Sequence, residues 1–133
     1  MAAPETPADK CLALATVQRE RKPGEPAKIA VRHVLVKHKD AKNPVETVTR
    51  ARGEACLRAL EARDKILAGA ELDAIVTEYS DELGAAARRG LVGTVERAEV
   101  APPFADAAFE LSIGQMSDVV ETDSGFHLIL RSE

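Results

Sequence analysis

From Ile29 to Val36 apolar residues occupy both phases of a two-residue repeat. Ile29, Val31, His33 and Leu35 fall on one side, with Ala30, Arg32, Val34 and Val36 on the other. That period predicts a strand with both faces partly buried. Upstream the pattern is weaker. Residues 1–8 (MAAPETPA) are small, polar and proline-containing, and are expected as a disordered lead-in. Asp9 is a candidate cap for a short helix over 9–20 that carries Cys11, Leu12, Ala15 and Val17. The basic Arg19–Lys22 stretch and Pro23-Gly24-Glu25-Pro26 then read as a linker. The expected organisation is an extension and linker over 1–28 and one domain over 29–133.

After the first strand, Lys39–Thr47 is a polar loop in which Pro44 argues against a helix. Ala51, Ala55, Cys56, Ala59, Leu60, Ala62, Ile66 and Leu67 then mark one helical face up to Gly69. Leu72, Ile75, Val76 and Tyr79 predict a second helix. Ser80 or Asp81 is expected to cap a short third turn ending at Arg88-Arg89-Gly90. Leu91–Val95 reads as a short strand, with Gly93 expected to mark a close approach of another group. Pro102 and Pro103 open a helix that continues through Phe104, Ala107, Ala108 and Leu111 and ends at Ile113-Gly114. Val119-Val120 and Phe126–Leu130 form a last strand pair across Thr122-Asp123-Ser124-Gly125. This order predicts an α+β domain with helices around an antiparallel sheet.

Composition narrows the chemistry. The 133 residues suffice for one ordinary domain, and 45% hydrophobic with 30% charged residues is a globular balance. Eighteen basic against 22 acidic residues give a net charge of −4, which argues against a domain living on nucleic-acid phosphates. Trp is absent and aromatics make up 3%, so platforms for stacked bases are not expected. No apolar run is long enough to span a membrane. Cys11 and Cys56 are too few for a disulfide scaffold and lack C-x-x-C spacing. Three histidines without a zinc-type pattern imply no metal. The N-terminus has no apolar run after a basic start, so a cytoplasmic location is expected; a signal already removed would leave the same picture.

Three stretches stand out together: His33-Val34-Leu35-Val36-Lys37-His38; Arg89-Gly90-Leu91-Val92-Gly93 followed by Pro103-Phe104-x-Asp106-Ala107-Ala108-Phe109; and Thr122-Asp123-Ser124-Gly125-Phe126-His127. Tyr79-Ser80-Asp81 precedes the second, and Gly114-Gln115-Met116-Ser117 precedes the third. In this order and spacing the chain resembles the parvulin family of peptidyl-prolyl cis/trans isomerases, from about Ile29 to the C-terminus. The resemblance implies a four-stranded antiparallel sheet surrounded by about four helices. It also implies an activity: accelerating rotation about X-Pro bonds, against a barrier of roughly 18–20 kcal/mol. No bond breaks in that reaction, and no cofactor is implied.

The resemblance carries over to particular residues. The family's apolar proline socket falls on Val92, Val100 and Phe104, of which only Phe104 matches strictly. Two histidines and a hydroxyl around the amide correspond to His33, His127 and Ser124, with Thr122 linking them by hydrogen bonds. The histidines act either as supports of the pocket or in direct contact with substrate. The family's cysteine or aspartate corresponds by spacing to Glu82, with Asp81 as the alternative. A carboxylate near the substrate carbonyl disfavours the planar, dipolar amide and so assists twisting. In phosphorylation-directed members a lysine and two arginines grip phosphate before proline; here those positions are Lys37, Lys42 and Asn43. Lysine lacks the arginine fork, so only a modest preference for acidic or phosphorylated residues is expected. The implied partners are proline-containing peptides or unfolded proteins, met by a monomer without a WW domain. The alternative is a catalytically weak parvulin-fold domain that binds peptides or acts as a chaperone.

Overall fold

A strand that is apolar on both faces needs a layer on each side, and the computed structural model, which describes residues 5–133, supplies both. Strand β1 (Lys28–Val36) lies inside a sheet completed by β2 (Leu91–Glu96), β3 (Val120–Thr122) and β4 (Gly125–Arg131). The spatial order is β2-β1-β4-β3, with every pair antiparallel. The register pairs His33 with Ile129, Leu35 with His127, and Val120 with His127. Partners in register share a face, so Ile29, Val31, His33, Leu35, His127, Ile129 and Val120 line one side. Helix α5 (Pro102–Ala108) covers that side through Phe104, Ala105 and Ala108, with Phe109 just after it. The opposite side, built from Val34, Val36, Phe126 and Leu128, packs on α1 (Pro7–Ala15), α2 (Arg52–Leu67) and α3 (Leu72–Tyr79). The short α4 (Ala85–Arg88) leads into β2. This is the expected α+β architecture, with five α-helices among the described residues where about four helices were expected.

The extra helix comes from the N-terminal segment. Helix α1 spans Pro7–Ala15, not 9–20, and starts earlier because Thr6 caps it. The Thr6 hydroxyl accepts from the Asp9 amide, and the Asp9 carboxylate accepts from the Thr6 amide, both at 3.1 Å. Asp9 is therefore the third residue of the helix, the acidic partner in a capping box, and not the cap. Residues 5–8 belong to this cap and helix start; residues 1–4 of the expected lead-in lie outside the described residues. Cys11 and Cys56 are both buried and form a disulfide between α1 and α2. Two cysteines are too few for a scaffold, but they suffice to fasten one helix.

Three further expectations are corrected. Ser80 and Asp81 do not cap α4, whose N-terminal residue is the left-handed Gly84. They hold β1 instead: the Ser80 hydroxyl accepts from the Leu35 amide at 3.1 Å, and the Asp81 carboxylate accepts from the Lys37 amide at 2.9 Å. Helix α5 stops at Ala108 rather than at Ile113-Gly114. The chain leaves it to run beside β4, where the Gly114 amide donates to Arg131 O and the Ser117 amide to Ile129 O, each at 2.7 Å. Gly93 has no neighbour where a Cβ would stand. It takes a left-handed φ of 106° beside a bulge that leaves Val92 without a partner on β1. The close approach occurs at Gly90, where a Cβ would lie 2.5 Å from His33 O.

The bridge closes a loop with a sequence separation of 45. Its reduction, or paired Cys11→Ser and Cys56→Ser substitution, should lower unfolding free energy by about 2–4 kcal/mol. Denaturant titration with and without reductant reads this; an unchanged midpoint would show that the bridge does not hold α1 to α2.

Candidate active site

Strand pairing brings the two histidines together. His127 lies opposite Leu35, one pleat along from His33, and the two Nδ1 atoms stand 3.1 Å apart with the rings stacked at 5.3 Å. Both side chains are buried, each residue 5% exposed, so their ring nitrogens must find partners within the protein. At one end Thr122 Oγ1 meets His127 Nε2 at 2.7 Å and also accepts from the Ser124 amide at 3.2 Å. At the other end His33 Nε2 meets Glu82 Oε2 at 3.1 Å, and Arg88 donates to the second carboxylate oxygen at 2.6 Å. The four residues form one chain, Thr122–His127–His33–Glu82.

Its direction follows from donor and acceptor chemistry. The ionised Glu82 carboxylate only accepts, so His33 Nε2 carries a proton. With a single proton on each ring, His33 Nδ1 accepts from His127 Nδ1–H, and His127 Nε2 accepts from the Thr122 hydroxyl. Every nitrogen is then satisfied. Hydrogen bonding to His33, with help from Arg88, holds the Glu82 carboxyl down at about 2 against the opposing effect of burial. Burial pushes His127 well below the ordinary histidine value, with the nearby Lys37 charge acting in the same direction and Glu82 opposing it.

Beside this chain lies a depression of about 170 Å³ lined by Val92, Val100, Ala101 and Phe104 on one side and His33, His127, Thr122 and Ser124 on the other. That is roughly the volume of a cavity that holds a benzene ring. Phe104 presents its ring edge-on to both imidazoles, at 5.2 Å from His127 and 6.0 Å from His33. The socket residues proposed from sequence therefore converge, and the unpaired Val92 of the β-bulge reaches it. Ala101, which sequence reasoning missed, joins them because it connects Val100 to α5.

Glu82 and Asp81 separate cleanly. Glu82 contacts His33, whereas Asp81 is taken up by the Lys37 amide and by Arg50 Nη1 at 2.7 Å. Arg50 and Arg88, the partners of these two carboxylates, were not assigned from sequence; their spacing of 31 and six residues gives no periodic signal. The basic grip comes together only in part. Lys37 is buried and its Nζ donates to Lys42 O at 2.9 Å and Ser124 O at 3.4 Å, and burial lowers its pKa. Lys37 and Asn43 line a depression of about 730 Å³ with Leu35, Pro44, Leu83 and Glu82. The Lys42 side chain is exposed and lines a different depression with Asp40 and Arg52. Lys42 reaches Lys37 through its carbonyl, not its charge. Among the described residues no cluster of histidine, cysteine and carboxylate groups could hold a metal ion.

The family model described as Rotamase: PPIC-type PPIASE domain matches residues 33–133. The chain is 39% identical over 114 residues to peptidyl-prolyl cis-trans isomerase pin1 of Rhizopus delemar, covering 82% of this chain and 75% of that relative. It is 39% identical over 111 residues to peptidyl-prolyl cis-trans isomerase Pin1 of Malus domestica, covering 75% of this chain and 89% of that one. Its backbone matches the structure of peptidyl-prolyl isomerase ESS1 from Candida albicans with a TM-score of 0.76 at 28% identity. That match covers 80% of this chain and 63% of the other. With the fold, the pairing of the strands and these relatives in agreement, the chain belongs to the PPIC-type parvulin family of peptidyl-prolyl cis-trans isomerases.

Proposed function

We propose that this isomerase turns X-Pro bonds by seating the proline ring on Val92, Val100 and Phe104 while the preceding carbonyl lies toward Glu82 and Ser124. The observation that carries this reading is the small apolar socket set directly against the buried histidine pair. Rotation needs no proton transfer and no leaving group. It needs the ring held fixed while the amide loses resonance, and stabilisation of the twisted form beyond that of either planar one. The apolar wall supplies the first. The Glu82 carboxylate contributes to the second, because a negative charge near the carbonyl opposes the dipolar planar amide. His33 and His127 support the pocket: their ring nitrogens are engaged with each other, Thr122 and Glu82. A catalytically weak peptide-binding domain is the competing outcome of the tests below.

The residue before proline would enter the depression lined by Lys37. A preference for an acidic or phosphorylated residue there rests on Lys37 alone, since Lys42 faces elsewhere. Asp81 and Glu82 lie in the same depression and offset its charge. The proposed preference is accordingly small.

Phe104→Ala should lower kcat/KM on a proline tetrapeptide by about 10-fold or more, since burying an aromatic ring contributes roughly 1.5–3 kcal/mol. Wild-type protein that fails to accelerate any of several tetrapeptides would instead establish the binding domain. Glu82→Gln should slow turnover by at least about tenfold, or 1.4 kcal/mol, with little change in melting temperature. Asp81→Asn should do the reverse, lowering the melting temperature because two donors lose their carboxylate. Because Glu82 stays ionised down to about pH 2, its titration should leave no inflection in the rate between pH 4 and 8; exchange of the two phenotypes would transfer the role to Asp81. Finally, Lys37→Ala should remove a preference of roughly two- to fivefold for Glu over Ala before proline, measured at low salt, where surface charge is least screened. Equal wild-type rates on both peptides would show that Lys37 is structural.

A further inference from the structure

The proline socket is built from two elements that meet at a bend. Val100 ends the 3₁₀ turn Arg97–Glu99, and Phe104 sits in the first turn of α5, with Ala101 between them. Arg97 and Asp106 brace this bend from the outside, Arg97 Nη1 donating to Asp106 Oδ1 at 2.5 Å. The rest of the guanidinium is committed elsewhere. Its Nε and Nη2 form a fork onto the two carboxylate oxygens of Glu25, both at 3.0 Å, and its Cζ lies 5.4 Å from the Phe109 ring centroid. Glu25 belongs to the stretch expected as a linker and precedes the residues that match the family model. Yet its side chain is only 8% exposed, and Arg21 donates to it at 2.7 Å. A second tie runs parallel: Arg19 Nε donates to Glu110, just past the end of α5, at 2.9 Å.

We infer that Glu25 is a positioning residue for the proline socket, acting through Arg97 and Asp106 to set the separation of Val100 and Phe104. Without Glu25 two of the three nitrogens that orient the guanidinium lose their partner. The remaining contact to Asp106 then no longer fixes the bend, because a single hydrogen bond leaves an arginine free to rotate. A socket that must close on one ring loses affinity when its two walls drift apart, while the chemistry at Glu82 and Ser124, on the other side of the ring, is untouched. The inference rests on the socket reading given above.

The test is a KM-against-kcat measurement on the full chain with a proline tetrapeptide. Glu25→Ala should raise KM roughly 3- to 10-fold with kcat within about twofold, the pattern of a lost binding contribution. Glu25→Asp, which keeps the carboxylate, should recover part of the affinity. A purely structural role predicts something else: partial unfolding reduces the active fraction and lowers the maximal rate, leaving KM alone. Arg63→Ala, on α2 across the sheet from α5, loses its pair with Asp118 and serves as that control. Should Glu25→Ala not fold, Asp106→Asn tests the same brace from its other end. Unchanged KM in Glu25→Ala, or in Asp106→Asn where the former is unfolded, overturns the inference. If Phe104→Ala also leaves KM unchanged, the socket reading fails with it; if Phe104→Ala raises KM, only the role of Glu25 falls.

Discussion

Two imidazoles buried side by side present four ring nitrogens that each need a partner, and the site is organised around satisfying them. An unpaired buried polar group costs about 1–3 kcal/mol, so each nitrogen needs a protein partner at hydrogen-bond distance. Two nitrogens meet each other, one meets Thr122 and one meets Glu82. That requirement places the end of β3, the connection between α3 and α4, and the strands β1 and β4 in fixed relation. His33, His127 and Thr122 also wall one side of the small apolar depression, so satisfying the histidines also shapes the proposed socket.

Backbone details make this arrangement attainable. The His33 amide donates to Gly90 O at 2.8 Å, and a side chain at Gly90 would collide with His33 O. Gly125 follows Ser124 at φ 136° and packs against the Val36 carbonyl, which lets the β3–β4 turn lie close to β1. The bulge at Val92 breaks the alternation of β2 and leaves that side chain half-exposed at the socket. Glycine at these points serves close approach or left-handed geometry, and the histidine chain inherits its distances from them.

Much of this was legible in the chain. The two-residue repeat of β1 marked a strand buried on both faces, and its phase put His33 with Val31 and Leu35, as found. The family resemblance pointed to Glu82 with Asp81 as the alternative, and it is Glu82 that contacts His33; the proline pair located the start of α5. Other features left no local signal. Whether Ser80 caps a helix or holds a strand depends on what the fold brings beside it, here the Leu35 amide. The end of α5 is decided by edge pairing with β4, more than ten residues away along the chain, and not by Gly114. Cys11 and Cys56 lie 45 residues apart, and only the packing of α1 on α2 brings them together. The same long range hid the link from Glu25 to Arg97.

The N-terminal segment therefore belongs to the domain on both of its sides, through a disulfide beneath the sheet and arginine–carboxylate pairs above it. Apart from the bridge, α1 is held by apolar packing, and the segment after it by the Arg19–Glu110 and Arg97–Glu25 pairs. The central claim remains the directed hydrogen-bond chain through the histidines, and the most direct measurement is the tautomer of each ring. Long-range ¹H–¹⁵N correlation spectra of the imidazoles at neutral pH should find His127 protonated on Nδ1 with Nε2 accepting, and His33 carrying its proton on Nε2. A proton on His127 Nε2, or an unprotonated His33 Nε2, would contradict the chain and the role of Glu82 with it.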